Sequence, residues 1–318
     1  MKPGERKELI ERNSEEVIGD IEEVLKIKKP VVYCGYEPSG EIHLGHLVTI
    51  TKLLDLMKAG FHIKVLFADW HAFLNRKGEW GFIEKQVESW KKGFKAAGLK
   101  EAEFIVGTSY QRTSDYIDDV MAIAQIATLN RALRSMQMVG RDMEHAKVSQ
   151  IIYPLMQITD IKHLKVDLVQ AGIDQRKIHM LGMEVLPKIG YKLPVFVHTP
   201  LIPSLQGPGS KMSSSVPESM ISIRDKPEEI KKKIAKAHCP EGIAEENPIL
   251  AIAKLIVFPG IDKLVIKRLD KYGGNLEIKS YEKLEELFRD KKMHPLDLKN
   301  AVAEELCRII EPIRKEFF

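Results

Sequence analysis

His43 and His46 stand three positions apart, around Leu44 and Gly45, in the stretch Y-C-G-Y-E-P-S-G-E-I-H-L-G-H that fills residues 33–46. A short apolar run enters it, Gly35, Pro38 and Gly40 punctuate it, and an amphipathic run leaves it, so it reads as strand, loop and helix start. Two imidazoles at a helix mouth lie beside unpaired backbone N–H groups and the positive end of the helix dipole, a setting that suits an anion such as a nucleotide's phosphates. The spacing is also half a metal site, because both rings fall on one helical face, but no cysteine or carboxylate cluster nearby completes a ligand set. A pair of ordinary surface histidines satisfies it equally well. A second stretch, G-P-G-S-K-M-S-S-S-V at 207–216, places Lys211 directly ahead of Met212, Ser213, Ser214 and Ser215. On a mobile loop an ammonium followed by hydroxyls can grip polyphosphate oxygens as they gain charge. By itself the stretch is equally a flexible surface loop.

The elements that must carry these groups alternate. Apolar positions Ile10, Val17, Ile21, Val24 and Leu25 predict a leading helix or pair of helices over residues 8–28. Residues 47–58 read as a helix, 62–69 as a buried strand, 79–97 as a helix ended by Gly98, and 102–106 as a strand. Such alternation predicts an α/β domain with a parallel sheet and crossover helices, its ligands lying beyond the C-terminal strand ends at the switch in strand order. From 114 to 165 the pattern turns almost wholly helical, with Ile117, Val120, Ile123, Ile126, Leu129 and Leu133. An apolar face there is a natural dimer contact, although packing on its own domain is equally allowed. Alternation returns with a strand at 166–169, a helix at 174–186 and a strand at 195–198. After the Gly/Pro/Ser-rich loop at 203–219, Asp225 with Glu228 resembles a capping box and Pro227 suits a first helical turn. The rest reads as helical to Phe318, apart from turns at 259–260 and 273–274. The expected domains are therefore 1–225, with the helical insert at 114–165, and an all-helical 226–318.

The 318 residues are ample for two domains, and 44% hydrophobic content supplies real cores. No apolar run reaches membrane-spanning length and residues 1–13 are charged, so a cytoplasmic protein without membrane contact is expected. Cys34, Cys239 and Cys307 are widely separated and fit neither a disulfide framework nor a metal spacing. The formal charge is only +4, yet lysines cluster at 231–233, 263–271 and 291–299, which leaves room for a polyanion such as RNA.

Together, H-L-G-H after the first strand of the alternating domain and K-M-S-S-S after the last resemble the two signatures of class I aminoacyl-tRNA synthetases. The resemblance extends over nearly the whole chain to the archaeal and eukaryotic type of tyrosyl-tRNA synthetase. It is carried by G-Y-E-P-S-G-E-I-H-L-G-H, A-D-W-H-A at 68–72, I-Y-P-L-M-Q-I-T-D-I from Ile152, D-Q-R-K-I-H-M-L from Asp174 and H-P-L-D-L-K-N-A-V-A-E from His294. It implies a Rossmann-type catalytic domain, a helical insert that forms a homodimer, and a helical C-terminal domain that reads the anticodon of tRNA(Tyr). The implied reaction joins L-tyrosine to ATP as tyrosyl-adenylate and then to the terminal adenosine of the tRNA. Magnesium would accompany ATP, with no tightly bound metal.

By the resemblance, His43 and His46 contact ATP phosphates, Gly45 lets the adenosine approach the helix, and Lys211 with Ser214 holds the pyrophosphate, Met212 and Ser213 belonging to the same ATP-binding segment. Many relatives carry a second lysine where Ser214 stands, so one charge is missing here. Tyr33 and Asp160 are implied to bind the substrate's phenol hydroxyl, and Tyr153, Gln157 and Gln175 its amino group, with Glu37 nearby. Tyr153, Gln157 and Asp160 fall at i, i+4 and i+7, one face of a helix. Arg134, Arg176 and Lys177 match positions near the acceptor end's first base pair, and Tyr272 and Asp297 match those at the anticodon. For each of the two arginines a salt-bridged helix face competes with that role, most of all for Arg134, and Asp297 is equally a helix N-cap after Pro295. Pocket-lining positions such as Phe67 and Tyr110 leave the exact side-chain preference open. Rival readings are a tryptophanyl-tRNA synthetase, a nucleotidyltransferase of the same superfamily and an RNA-binding protein descended from a synthetase.

Overall fold

The computed structural model describes residues 1–136, 147–212 and 216–318. The chain forms two compact units, one of Met1–Ser39, Lys52–Lys91 and Leu99–Pro200, the other of Gly40–Thr51, Lys92–Gly98 and Leu201–Phe318. In chain order the elements of the alternating part are α1 (Pro3–Glu11), β1 (Glu16–Ile18), α2 (Ile21–Lys26), β2 (Val31–Tyr36), α3 (Leu44–Lys58), β3 (His62–Phe67), α4 (Asp69–Leu74), α5 (Trp80–Ala96) and β4 (Glu103–Val106). They continue with α6 (Ser114–Ile126), α7 (Leu129–Ser135), α8 (Val148–His163), β5 (Leu168–Gly172), α9 (Arg176–Val185) and β6 (Val195–Thr199).

The first unit holds one sheet in the order β1-β6-β5-β2-β3-β4. All its pairings are parallel except that of β1 with β6. V-V-Y-C-G-Y in β2 and V-F-V-H-T in β6 are near-continuous buried runs, as expected of strands covered on both faces. Strand order runs one way from β2 through β3 to β4 and the other way from β5 to β6, so the switch lies between β2 and β5. That is where an open α/β sheet leaves a crevice for ligands.

Against the expected leading helices, residues 8–28 divide into α1, the edge strand β1 and α2. A three-residue strand is too short to show a period of two, and its pairing with β6 is fixed by a partner 180 positions away in register: Glu16 faces His198 and Ile18 faces Phe196. The end of α1 is fastened by buried Lys52, whose Nζ donates to the carbonyls of Leu9 (3.2 Å), Ile10 (3.1 Å) and Arg12. Tyr116, Val120, Ile123, Leu155, Ile158, Ile161 and Phe196 share one core cluster, so α6 and α8 of the expected insert pack on their own unit.

The second unit contains β7 (Pro203–Ser204), β8 (Gly207–Lys211), α10 (Pro227–Lys236), α11 (Pro248–Ile252), β9 (Leu264–Ile266), β10 (Leu276–Ile278), α12 (Tyr281–Arg289) and α13 (Pro295–Lys315). The loop expected at 203–219 is ordered through Lys211 as an antiparallel β7–β8 pair. The Lys226 N–H donates to the carboxylate of Glu229 at 2.7 Å at the start of α10, so the box closes one residue later than Asp225 and Glu228 predict. Asp225 instead accepts from Ser222 N and Lys233 Nζ. Helices dominate beyond, as expected, but L-V-I and L-E-I pair as a small antiparallel ribbon, β9–β10. Leu298, Val302, Leu306 and Ile310 form the buried stripe of α13.

Candidate active site

In the first unit Asp160, on α8, is 1% exposed among apolar neighbours, and a carboxylate so placed requires donors. Its Oδ1 accepts from Tyr110 Oη (2.6 Å), Gln111 Nε2 (2.8 Å) and Tyr116 Oη (2.9 Å). Burial dominates over these donors and pushes its pKa up to about 7. His71 Nε2 lies 3.8 Å from the other oxygen, Oδ2. Gln111 Nε2 also approaches His71 Nδ1 at 3.4 Å, so Nδ1 accepts and the proton of this neutral ring sits on Nε2. Burial holds the ring neutral, with a pKa near 3. That Nε2 and the buried Gln111 Oε1 and Gln157 Oε1 have no hydrogen-bond partner among the described residues. Tyr33, at the middle of β2 and buried, has its phenol pKa raised by burial first and by the charge of Asp160 second.

The rest of the predicted tyrosine set gathers in the same unit. Tyr153 packs edge-on against His71, with ring centres 4.9 Å apart, and is hydrogen-bonded to Glu37. Glu37 also accepts from Asn75 Nδ2 at 3.1 Å, and burial raises its pKa. Gln157 Nε2 donates to Gln175 Oε1 at 3.4 Å. Thus Tyr153, Gln157 and Asp160 do share a face of α8.

The backbone at 107–111 is shaped for this arrangement. A Cβ on Gly107 would lie 2.5 Å from Gln111 Oε1 and 2.9 Å from Asp69 Oδ1. Asp69 in turn accepts from Thr108 N (2.8 Å) and Thr108 Oγ1 (2.5 Å), which fixes the turn after β4. Tyr110 is anticipated from the sequence as a lining position, whereas Gln111, Tyr116 and His71 are not. Their one legible signal is position: Tyr110 and Gln111 follow the C-terminal end of β4, and His71 follows that of β3.

In the second unit, His43 N donates to His46 Nδ1 and Gly45 N to His43 Nδ1, each at 3.1 Å, with the rings 4.1 Å apart. Both Nδ1 atoms accept, so each neutral ring carries its proton on Nε2. Burial and the neighbouring His43 hold the His46 pKa well below its usual range. A Cβ on Gly45 would meet His43 Cε1 at 2.8 Å, so glycine here lets the ring fold back over the helix start. This segment is stitched to the one that follows the lysine–serine stretch: Leu44 N donates to Ile221 O (3.1 Å) and Ile223 N to Ile42 O (3.0 Å) around a His43–Ser222 bridge. Lys211 ends β8, and buried Met212 donates its N–H to Ile202 O at 3.3 Å. Ser213 and Ser214 lie outside the described residues.

Of the positions matched to tRNA contacts, Arg134 lies exposed on α7, its Nε bonded to Asn130 O at 3.3 Å. Arg131, not Arg134, forms the ion pair with Glu184, at 2.6 Å. Arg176 and Lys177 open α9, and Arg176 is paired with Glu16. Tyr272 closes a 3-10 turn before Gly273. The N-cap of α13 is His294, whose Nδ1 accepts from Leu296 N at 3.1 Å, so Asp297 sits inside the first turn rather than at the cap. It lines a cavity of about 380 Å³ with Lys231, Lys267 and Lys299.

A parallel sheet with its switch at β2/β5 defines an open α/β protein of the kind that binds ligands beyond its strand ends, and two histidines fold over a helix start in the second unit. The family model described as tRNA synthetases class I (W and Y) matches residues 26–311, and the chain belongs to that family. The tyrosine–tRNA ligase of Archaeoglobus fulgidus is 52% identical over 316 residues, 98% of this chain and 97% of the relative. That of Methanocaldococcus jannaschii is 50% identical over 311 residues, 97% and 98% of the two chains. The crystal structure of the Archaeoglobus fulgidus tyrosyl-tRNA synthetase complexed with L-tyrosine superposes with a TM-score of 0.95 at 51% identity, covering 100% of both chains. Within the class, this chain groups with the tyrosine–tRNA ligases.

Proposed function

We propose that the chain activates L-tyrosine with ATP and transfers it to the terminal adenosine of tRNA(Tyr). The observation that carries the amino-acid choice is the gap between His71 Nε2 and Asp160 Oδ2. A phenol hydroxyl can donate to the carboxylate oxygen and accept from the imidazole N–H at once. Phenylalanine leaves both unsatisfied, and an indole N–H can donate but cannot accept, which disfavours the tryptophanyl reading. Tyr33 belongs to the same hydroxyl-binding set, while Tyr153, Gln157 and Gln175, with Glu37, take the amino group.

Little acid–base chemistry is required. The carboxylate of tyrosine is already ionised and attacks the α-phosphate in line, and pyrophosphate departs. His43 and His46 donate from Nε2 to phosphate oxygens, Gly45 admits the adenosine, and Lys211 with Met212, Ser213 and Ser214 steadies the leaving pyrophosphate. ATP enters as its magnesium complex, the ion being carried by the phosphates.

Residues 1–225 form the catalytic domain in this reading and 226–318 read the anticodon through Tyr272 and Asp297, while Arg134, Arg176 and Lys177 meet the acceptor end. The active form is a homodimer in the cytoplasm. Leu129 and Val148, 60% and 72% exposed on α7 and α8, are suited to that interface; Val148→Asp is expected to shift sedimentation from dimer to monomer. ATP–pyrophosphate exchange measured across the amino acids, first without and then with tRNA, tests the whole assignment. Exchange that does not depend on tyrosine refutes it, and tyrosine-dependent exchange without charging removes the tRNA step alone.

A further inference from the structure

Four side chains close a ring on the first unit. Arg176, at the start of α9, gives Nε (2.7 Å) and Nη2 (2.9 Å) to the two carboxylate oxygens of Glu16. Glu16 Oε2 is also 3.1 Å from His198 Nδ1, and His198 Nε2 is 2.8 Å from His179 Nδ1. His179 is one turn along α9 from Arg176, so the chain of contacts leaves α9, crosses β6 and β1, and returns to the same helix. Glu16 and His198 are also direct cross-strand partners in the β1–β6 ladder. Both imidazoles are buried and neutral, burial lowering their pKa. Their single protons then have one consistent placement: His179 Nδ1–H donates to His198 Nε2, and His198 Nδ1–H donates to Glu16. The carboxylate is thereby held from behind, and it grips the guanidinium by its Nε side.

That grip decides what Arg176 has left to offer. The side chain is 44% exposed, and its end edge, one N–H from Nη1 beside one from Nη2, donates to no described residue. Two parallel N–H groups match the O6 and N7 acceptors of guanine. The Arg176–Glu16 pair carries no net charge, so it has little of the attraction that draws a cation to phosphate, whereas exposed Lys177 beside it keeps its charge for the backbone. We propose that Glu16 is a positioning residue that turns Arg176 into a base-reading fork directed at a guanine of the tRNA acceptor end. The inference rests on the assignment of Arg176 to the acceptor end.

The test uses tRNA(Tyr) transcripts in which the guanine of the first acceptor pair is kept or replaced by adenine with its partner changed to match. Glu16→Gln is expected to leave tyrosine-dependent ATP–pyrophosphate exchange within about twofold, while the ratio of charging kcat/KM between the transcripts falls at least about tenfold. Glu16→Asp, which keeps the charge but draws the guanidinium back by one methylene, is expected to lose part of the same ratio and covers a failure of Glu16→Gln to fold. An undiminished ratio in the folded Glu16 variants overturns the proposal. Arg176→Ala separates the two ideas. If it abolishes the ratio while the Glu16 variants do not, the mounting role of Glu16 is wrong and the acceptor-end assignment stands. If it leaves the ratio intact, the assignment itself is wrong.

Discussion

His71 Nε2 and Asp160 Oδ2 face each other across 3.8 Å, too far to bond directly, while the other carboxylate oxygen is already occupied by Tyr110, Gln111 and Tyr116. One donor and one acceptor are therefore kept for a group that can satisfy both. A tyrosine-selecting synthetase is itself the standard example of hydroxyl-based rejection of phenylalanine, on the order of 10⁵ without editing.

Asp160→Asn retains the volume of the side chain but removes the charge that the three donors share and that the proposed tyrosine hydroxyl would use. Tyrosine-dependent exchange is expected to lose roughly 10²- to 10³-fold in kcat/KM, and discrimination against phenylalanine to shrink by a similar factor. Exchange with both amino acids on the folded variant measures this, and an unchanged ratio would place the hydroxyl elsewhere.

The folded-state pKa of Asp160, about 7, lies above its ordinary 3.8. Between those values the folded protein binds more protons than the unfolded chain, so this group's contribution to stability falls as pH rises from about 4 to about 7 and is level above. A substrate hydroxyl that donates to Oδ2 needs the ionised form, so tyrosine affinity is expected to move oppositely, rising up to about 7 and then levelling. His71, neutral above about 3, adds no step in that range. Calorimetric titration of tyrosine from pH 5.5 to 8.5 should show the rise, and Asp160→Asn should flatten it.

Gly107→Ala forces a methyl toward the Gln111 amide oxygen and Asp69. Gln111 must swing away, and with it one of the three donors to Asp160. The expected result is a several-fold higher KM for tyrosine with the KM for ATP unmoved. Equal increases in both would point to general loosening of the unit.

Gly45→Ala strikes the other cluster. Its methyl would overlap the His43 ring, which now accepts the Gly45 N–H. If His43 donates to ATP phosphates as proposed, its displacement should lower kcat for exchange by roughly 10- to 100-fold, with tyrosine affinity by calorimetry unchanged.

Lys52→Met leaves the carbonyls of Leu9, Ile10 and Arg12 without their donor and should destabilise the protein by roughly 2–3 kcal/mol. Burial holds the Lys52 pKa down to about 8, below the free 10.5. The unfolded chain therefore binds the extra proton between those values, and stability from this group rises with pH across that window. Denaturant melts of the native and Lys52→Met proteins at pH 7.5 and 10 should differ in that slope.

The local pattern of residues 33–46 was enough to place a strand, a turn and a helix start, because periodicity and Gly/Pro punctuation are properties of neighbouring residues. The spacing of Tyr153, Gln157 and Asp160 likewise puts them on one helical face, and the motif resemblance implies roles for them. The β1 strand escaped because a three-residue edge has no periodicity of its own and exists only through its pairing with β6. His71, Gln111 and Tyr116 escaped for a related reason: each is unremarkable within its own segment and acquires meaning only from a carboxylate 44 to 89 positions away along the chain. Sequence alone thus placed the longer helices and the central strands and supplied the chemical repertoire, but not the short strands that exist only through their pairing. Tertiary structure decided which donors are consumed by Asp160, which one is left waiting at His71, and which edge of Arg176 stays free, since burial and hydrogen-bond satisfaction are set by distant residues brought together in folding.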